Sequence, residues 1–202
     1  MAKRLILIRH GALSDACTGR YISRTDAPLS ALGRSQARAL GCCRRRWPEA
    51  RVYVSPLSRC RETATLALDG KGYFTVDKDL REVDFGRWEG MTFAQIAAEE
   101  PAAIDRWAEL EEDFAFPEGE GLAPFRHRVA AVASRVSAAS GETIVTVTHG
   151  GVIRFLICHF LGLAPRDHLL FTVDPASVSE IRIEGGRGVL TLLNDRHHLE
   201  CP

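Results

Sequence analysis

Two stretches of this chain can form little other than buried strands. Arg4-Leu-Ile-Leu-Ile8 holds an unbroken aliphatic run of strand length, and Thr143-Ile-Val-Thr-Val-Thr148 is β-branched at every position. A strand with one face in water alternates apolar and polar residues, so runs like these predict strands covered on both faces, as in the middle of a parallel sheet. Both runs break off at a histidine followed by glycine, in Arg9-His10-Gly11 and in His149-Gly150-Gly151.

The segments between them read as crossovers. Ser30 is a plausible N-cap for a helix over Ala31 to Arg44, with Leu32, Ala39, Leu40 and Cys43 at helical spacing and Pro48 barring continuation. Val52-Tyr-Val54 predicts a second strand, closed by Ser55-Pro56 and followed by a helix over Ser58 to Leu68; Phe74 to Val76 is a weaker strand candidate. Thr92-Phe-Ala-Gln95 has the form of a capping box, so a helix starts there and stops before Pro101, with a second short helix from Pro101 to Asp113. Residues 91–121 thus form a helical insertion. Phe125, Val129, Val132 and Val136 mark a long amphipathic helix over Leu122 to Ala139, and Val152 to Leu161 is the helix after the third buried strand. Val178 to Ile183 and Val189 to Leu193 alternate around Gly185-Gly186-Arg187-Gly188 as an antiparallel hairpin. Alternating strands and helices predict an α/β protein, a three-layer α/β/α sandwich with a mostly parallel mixed sheet and the insertion over the site. With 202 residues, 46% of them apolar, residues 1–202 fit a single domain.

Charge narrows the partners. Lys+Arg and Asp+Glu are both 26, so no net field favours a nucleic-acid backbone or an anionic membrane. No run reaches the roughly 18 apolar residues of a membrane span, and Leu5 to Ile8 is too short for a signal sequence, so a soluble, cytoplasmic protein is expected. The six cysteines include no CxxC pair and read as free thiols of a reducing compartment. His197, His198 and Cys201 match no standard zinc spacing, Gly119-Glu-Gly121 lacks the third glycine of a dinucleotide fingerprint, and His127, His159 and His168 belong to no motif. Arg44-Arg45-Arg46 suits the negative end of the first helix.

Ligands of open α/β sheets bind beyond the carboxyl ends of the strands. Here those ends deliver Arg9 and His10, then Arg59 and Arg61 one turn after the second strand, then His149. A single His or Arg at such a place is usually a solvated loop residue; three junctions of the same character, each near a helix N-terminus, suit a compact oxyanion such as phosphate.

Leu7-Ile-Arg-His-Gly11, Ser55-Pro-Leu-Ser-Arg59 with Thr63-Ala64, Leu80-Arg-Glu82 with Phe85-Gly86 and Trp88-Glu-Gly90, and Thr148-His-Gly150 occur in one order along nearly the whole chain. Together they resemble the histidine phosphatase superfamily, also called phosphoglycerate mutase-like. The resemblance implies that His10 is the nucleophile that becomes a phosphohistidine, that Arg9, Arg59, His149 and Gly150 hold the phosphoryl oxygens, and that Glu82 gives a proton to the leaving group and then activates water. It implies no metal and no cofactor, the substrate being a small phosphate monoester. Asp84 competes with Glu82 for the acid role, and Arg20, Ser23 and Arg24 are candidates for the substrate rim. Three positions depart from the family pattern: Ala12, Leu13 and Ala16 stand where Glu, Thr or Ser, and Asn are common. The loop Leu80 to Gly90 resembles the phosphatase branch rather than the mutases, and Gly19-Arg-Tyr21 with the closing Leu193-Asn-Asp195 to His198-Leu199 resembles the α-ribazole phosphatases of cobalamin biosynthesis. The alternatives are a phosphoglycerate mutase-type phosphotransferase, or a catalytically weak phosphoester-binding regulator, which the three departures would suit.

Overall fold

The computed structural model describes residues 3–70 and 72–200. Six strands, β1 (Lys3–Arg9), β2 (Arg51–Val54), β3 (Thr75–Val76), β4 (Thr143–Thr148), β5 (Val178–Glu184) and β6 (Arg187–Asp195), form one sheet in the order β3-β2-β4-β1-β5-β6. β3, β2, β4 and β1 are parallel, whereas β5 and β6 run antiparallel to their neighbours. The two uninterrupted runs lie side by side, Leu5 opposite Ile144 and Ile8 opposite Val147. Among the described residues six α-helices accompany the sheet: α1 (Ala31–Ala39), α2 (Ser58–Ala67), α3 (Phe93–Glu99), α4 (Pro101–Ala108), α5 (Leu122–Ala138) and α6 (Gly150–Leu161).

Alternation along β1 divides the core in two. Leu5 and Leu7 face one layer, with Ile144, Ile181 and the apolar sides of α5 and α6; Ile6 and Ile8 face the other, with Val145, Val147 and residues Cys60, Ala64 and Ala67 of α2. All four β1 residues are buried, as expected of a strand covered twice. The result is the three-layer α/β arrangement.

Several expected boundaries move for local reasons. The first helix ends at Ala39, and Leu40–Arg46 continues as 3-10 turns. Three-residue turns place side chains three apart above one another, which lets Leu40 and Cys43 both enter the core. Leu32, expected on the buried face of α1, is exposed; Gly33, Gln36 and Ala37 face inward instead. α4 stops five residues before Asp113, with Leu110 in the left-handed region at φ 50°. α6 begins at Gly150, with His149 itself in the N-cap position. The capping box of α3 forms as expected, Thr92 Oγ1 accepting from Gln95 N and Gln95 Oε1 accepting from Thr92 N. The hairpin turns at Gly185 and Gly186, both at positive φ, as a two-residue turn compatible with the strand twist requires.

Residues 91–121 pack around Trp88. This fully buried indole meets Trp107, Phe114 and Phe116 with ring centroids 5.3–6.1 Å apart, so the insertion is anchored by aromatic edges. No helix among the described residues is long and apolar enough to cross a membrane.

Candidate active site

β1 and β4 end side by side, which puts His10 and His149 in contact. Their rings meet edge to face at 5.2 Å, and His10 N donates to Thr148 O at 3.0 Å. Nδ1 of His10 lies 2.8 Å from Gly11 O. A carbonyl only accepts, so Nδ1 carries the proton and the lone pair is left on Nε2. Burial pushes the His10 pKa well below the usual histidine value, and the charges of Arg9 and Arg59 push in the same direction. The imidazole is therefore neutral at physiological pH.

His149 is neutral for the same reasons, burial first and then the neighbouring His10, Arg59 and Arg9. Its Nε2 lies 2.8 Å from Ser55 Oγ at the end of β2, with Cys60 Sγ at 3.5 Å. Burial raises that thiol to about 12, so Cys60 is an uncharged packing partner.

Arg59 is the second residue of α2 and is wholly buried. Its Nη1 donates to Thr25 O at 2.8 Å and its Nη2 to Ser23 O at 2.6 Å. One turn further on, Thr63 Oγ1 donates to Arg59 O and accepts from Gly11 N, tying α2 to the loop after His10. Arg9 donates through Nη1 to Val173 O at 2.6 Å. In both arginines the Nε is buried and has no acceptor among the described residues.

Glu82 comes from the loop after β3. Its Oε2 accepts from Gly151 N at 3.0 Å in the first turn of α6, and its Oε1 accepts from Val83 N at 3.1 Å. A Cβ on residue 151 would sit 2.4 Å from Glu82 Oε1, which explains the second glycine of His149-Gly-Gly151. Asp84 is engaged elsewhere, with Arg24 at 3.2 Å and with Gly86 N at 3.1 Å.

Two cavities open here. One of about 320 Å³ is lined by Arg9, His10, Gly11, Ala12, Leu13 and Cys17 among others; a second of about 370 Å³ runs from Gly150 and Gly151 to Arg154 and His168. Arg9, Arg20, Ile22 and Glu82 line both, so Glu82 stands where they join. Tyr21, Phe85, Trp107, Phe116, Phe125 and Phe155 contribute most of the apolar wall of the second.

The structure thus brings His10, Arg9, Glu82 and Gly150 to the cavity surface, with Arg59 and His149 buried among them. Of the rim candidates only Arg20 lines the cavities. Ser23 is fully buried and bonded to Glu89, and Arg24 pairs with Asp84. Arg61 is exposed on the outer side of α2. Arg154 was not singled out by the sequence, although it follows Gly150 by four residues and so shares its helix face. His168 gave no signal beforehand; its Nδ1 donates to Pro165 O at 3.0 Å and its ring lies against Phe155. Among the described residues no group of three or more His, Cys, Asp or Glu side chains could hold a metal; Cys201 lies outside them.

The family model of the histidine phosphatase superfamily, branch 1, matches residues 5–196. The chain is 32% identical to phosphoserine phosphatase 1 of Hydrogenobacter thermophilus, covering 97% of this chain and 94% of that one. It is also 32% identical to the adenosylcobalamin/alpha-ribazole phosphatase of Salmonella typhimurium, with 96% of each covered. The crystal structure of the alpha-ribazole phosphatase from Shigella flexneri superposes with a TM-score of 0.85 at 30% identity, over 96% of both chains.

Proposed function

The chain belongs to the histidine phosphatase superfamily, and from that we propose that it is a metal-independent phosphomonoesterase working through a phosphohistidine on His10. One observation carries the reading: a neutral imidazole with its Nε2 lone pair free lies beside two guanidinium groups whose buried Nε donors have no acceptor among the described residues. An unpaired buried donor costs about 1–3 kcal/mol, and a phosphoryl group supplies the oxygens that would satisfy both.

The chemistry follows from the placement. His10 Nε2 attacks phosphorus and a P–N bond forms as the P–O bond to the alcohol breaks, while Nδ1–H stays on Gly11 O. Glu82, at the junction of the cavities, gives its proton to the departing oxygen. The carboxylate then takes a proton from water, whose oxygen displaces the imidazole to release orthophosphate and restore neutral His10. Arg9, Arg59 and His149 bear the charge that builds on the equatorial oxygens. A rapid-quench experiment with phosphorus-labelled substrate is expected to trap acid-labile, base-stable label on wild type and none on His10→Ala. Normal turnover with no trapped label would instead indicate direct attack by water.

For the substrate, α-ribazole 5'-phosphate is the reading that the leaving-group cavity supports best. Its aromatic wall suits a flat ring, and its charged lining is mainly cationic: Arg9, Arg20 and Arg154 against Glu82 alone. Phosphoserine, the substrate in the name of one relative, would bring an ammonium group into a lining that offers three guanidinium groups against one carboxylate. A panel of monoesters is expected to give the highest kcat/KM with α-ribazole 5'-phosphate; a preference for phosphoserine would reverse the assignment.

A further inference from the structure

Arg59 is held by two carbonyls, and those carbonyls are themselves held. Ser23 and Thr25 offer their oxygens to Arg59, while the N–H groups of the same loop converge on the carboxylate of Glu89. Glu89 Oε1 accepts from Ser23 N at 2.9 Å and Thr25 N at 3.1 Å; Oε2 accepts from Ser23 Oγ at 2.5 Å, Ser23 N at 3.1 Å and Arg24 N at 3.3 Å. Three successive backbone donors around one anion form a nest, a concavity suited to negative charge. With the N–H groups turned toward Glu89, the Ser23 and Thr25 carbonyls are presented to the guanidinium.

Glu89 is itself fixed from both sides. It follows the 3-10 turn Gly86–Trp88, whose Trp88 is buried in the aromatic cluster. Gly90 N donates to Tyr21 O at 2.8 Å and Tyr21 N to Met91 O at 2.9 Å, so the segment carrying Glu89 is laced to the one carrying Ser23. Burial works against the carboxylate charge, but the hydrogen bonds from Ser23 and Thr25 outweigh it and hold the pKa below the ordinary glutamate value. At neutral pH Glu89 is therefore a carboxylate.

We infer that Glu89 is a positioning residue for the reaction: it shapes the loop 23–25 into the two-carbonyl socket that aims Arg59 at the phosphoryl group. Without the carboxylate, the three N–H groups turn toward water or other acceptors, the carbonyls swing with them, and Arg59 loses the contacts that fix its fork. This rests on the phosphatase reading, because it assigns Arg59 a task on the substrate's phosphate.

A double-mutant cycle separates positioning from general scaffolding. Glu89→Ala is expected to lower kcat/KM about 10-fold or more and to weaken inhibition by orthophosphate comparably, while in an Arg59→Ala background the same change costs less than about 2-fold. Glu89→Gln, which keeps one accepting oxygen, should fall between and serves in place of Glu89→Ala if that variant fails to fold. Glu89→Asp supplies the rescue, recovering part of the loss because the charge is retained. Equal losses in both backgrounds would overturn the inference and leave Glu89 a scaffold residue, as would no loss in the wild-type background. Wild-type kcat/KM in Arg59→Ala alone would overturn the clamp role of Arg59, and this inference with it.

Discussion

His10 is useful because one of its nitrogens is committed. The Gly11 carbonyl fixes the proton on Nδ1, and burial, helped by the pair of arginines, keeps a second proton away. Glu82 is proposed to carry the complementary duty, so Glu82→Gln is expected to slow an alkyl phosphate by about 10²–10⁴ while a nitrophenyl phosphate, whose leaving group needs no proton, loses far less. Parallel kcat/KM measurements on the two esters, which read the step up to the phosphoenzyme and not its hydrolysis, decide it, and equal losses would move the proton source to water. Arg59→Ala should likewise cripple kcat/KM, whereas Arg61→Ala, about 200° further around α2 and exposed, should leave it within about 2-fold; the reverse order would shift the reading of this helix by two residues. At this scale the strand-end residues were legible because a break in a buried run is visible in one dimension. The preference for Glu82 over Asp84 rests on motif resemblance, and the Arg24 partner that engages Asp84 is a contact between loops that no local pattern encodes. Ser23, a rim candidate in the sequence, is buried instead, and its hydroxyl and N–H bond to Glu89, sixty-six residues away.

Between elements, two glycines allow a close approach. α1 packs its first turn on the exit of β1, where a Cβ at Gly33 would lie 2.1 Å from Ala12 O and one at Gly11 would lie 2.4 Å from Gly33 O. Gly33→Ala on an exposed helix would gain about 1 kcal/mol. Here the added carbon meets backbone that also accepts from Ser30 N and Ser30 Oγ, so a net loss of about 1–3 kcal/mol is expected. Urea denaturation of the variant measures it, and a stabilised protein would mean that the Ala12 backbone can retreat freely. Strand positions and helix order were readable because burial on both faces removes the polar interruptions. Boundaries were less so: the 3-10 continuation after Ala39 depends on what Leu40 and Cys43 reach across the layer, and the early end of α4 on a left-handed Leu110.

Taken whole, the molecule keeps histidines neutral by folding around them. His10, His149, His168 and His198 all have pKa values lowered by burial, so the unfolded chain binds protons that the folded one refuses. The stability they contribute is complete above the unfolded value of about 6.5 and is lost as pH falls below it. From pH 7 to 5.5 the loss is expected to be about 1 kcal/mol for each histidine that stays neutral, hence about 2 kcal/mol from His10 and His149 together. The lowered carboxyl groups of Glu89, Glu120, Asp174 and Glu180 act in a separate window, beginning only as pH falls through the normal carboxylate range. Urea midpoints at the two pH values test this, and an unchanged midpoint would mean that these rings are protonated in place.

Trp107, Leu110 and Phe116 reach the leaving-group cavity from residues 91–121, whereas Arg9, His10, Arg59 and His149 hang from the strands and from α2. Part of the appetite is therefore written in a passage of the chain that takes no share in the chemistry. A lineage can rewrite that passage and acquire a taste for another alcohol without relearning how to handle phosphorus.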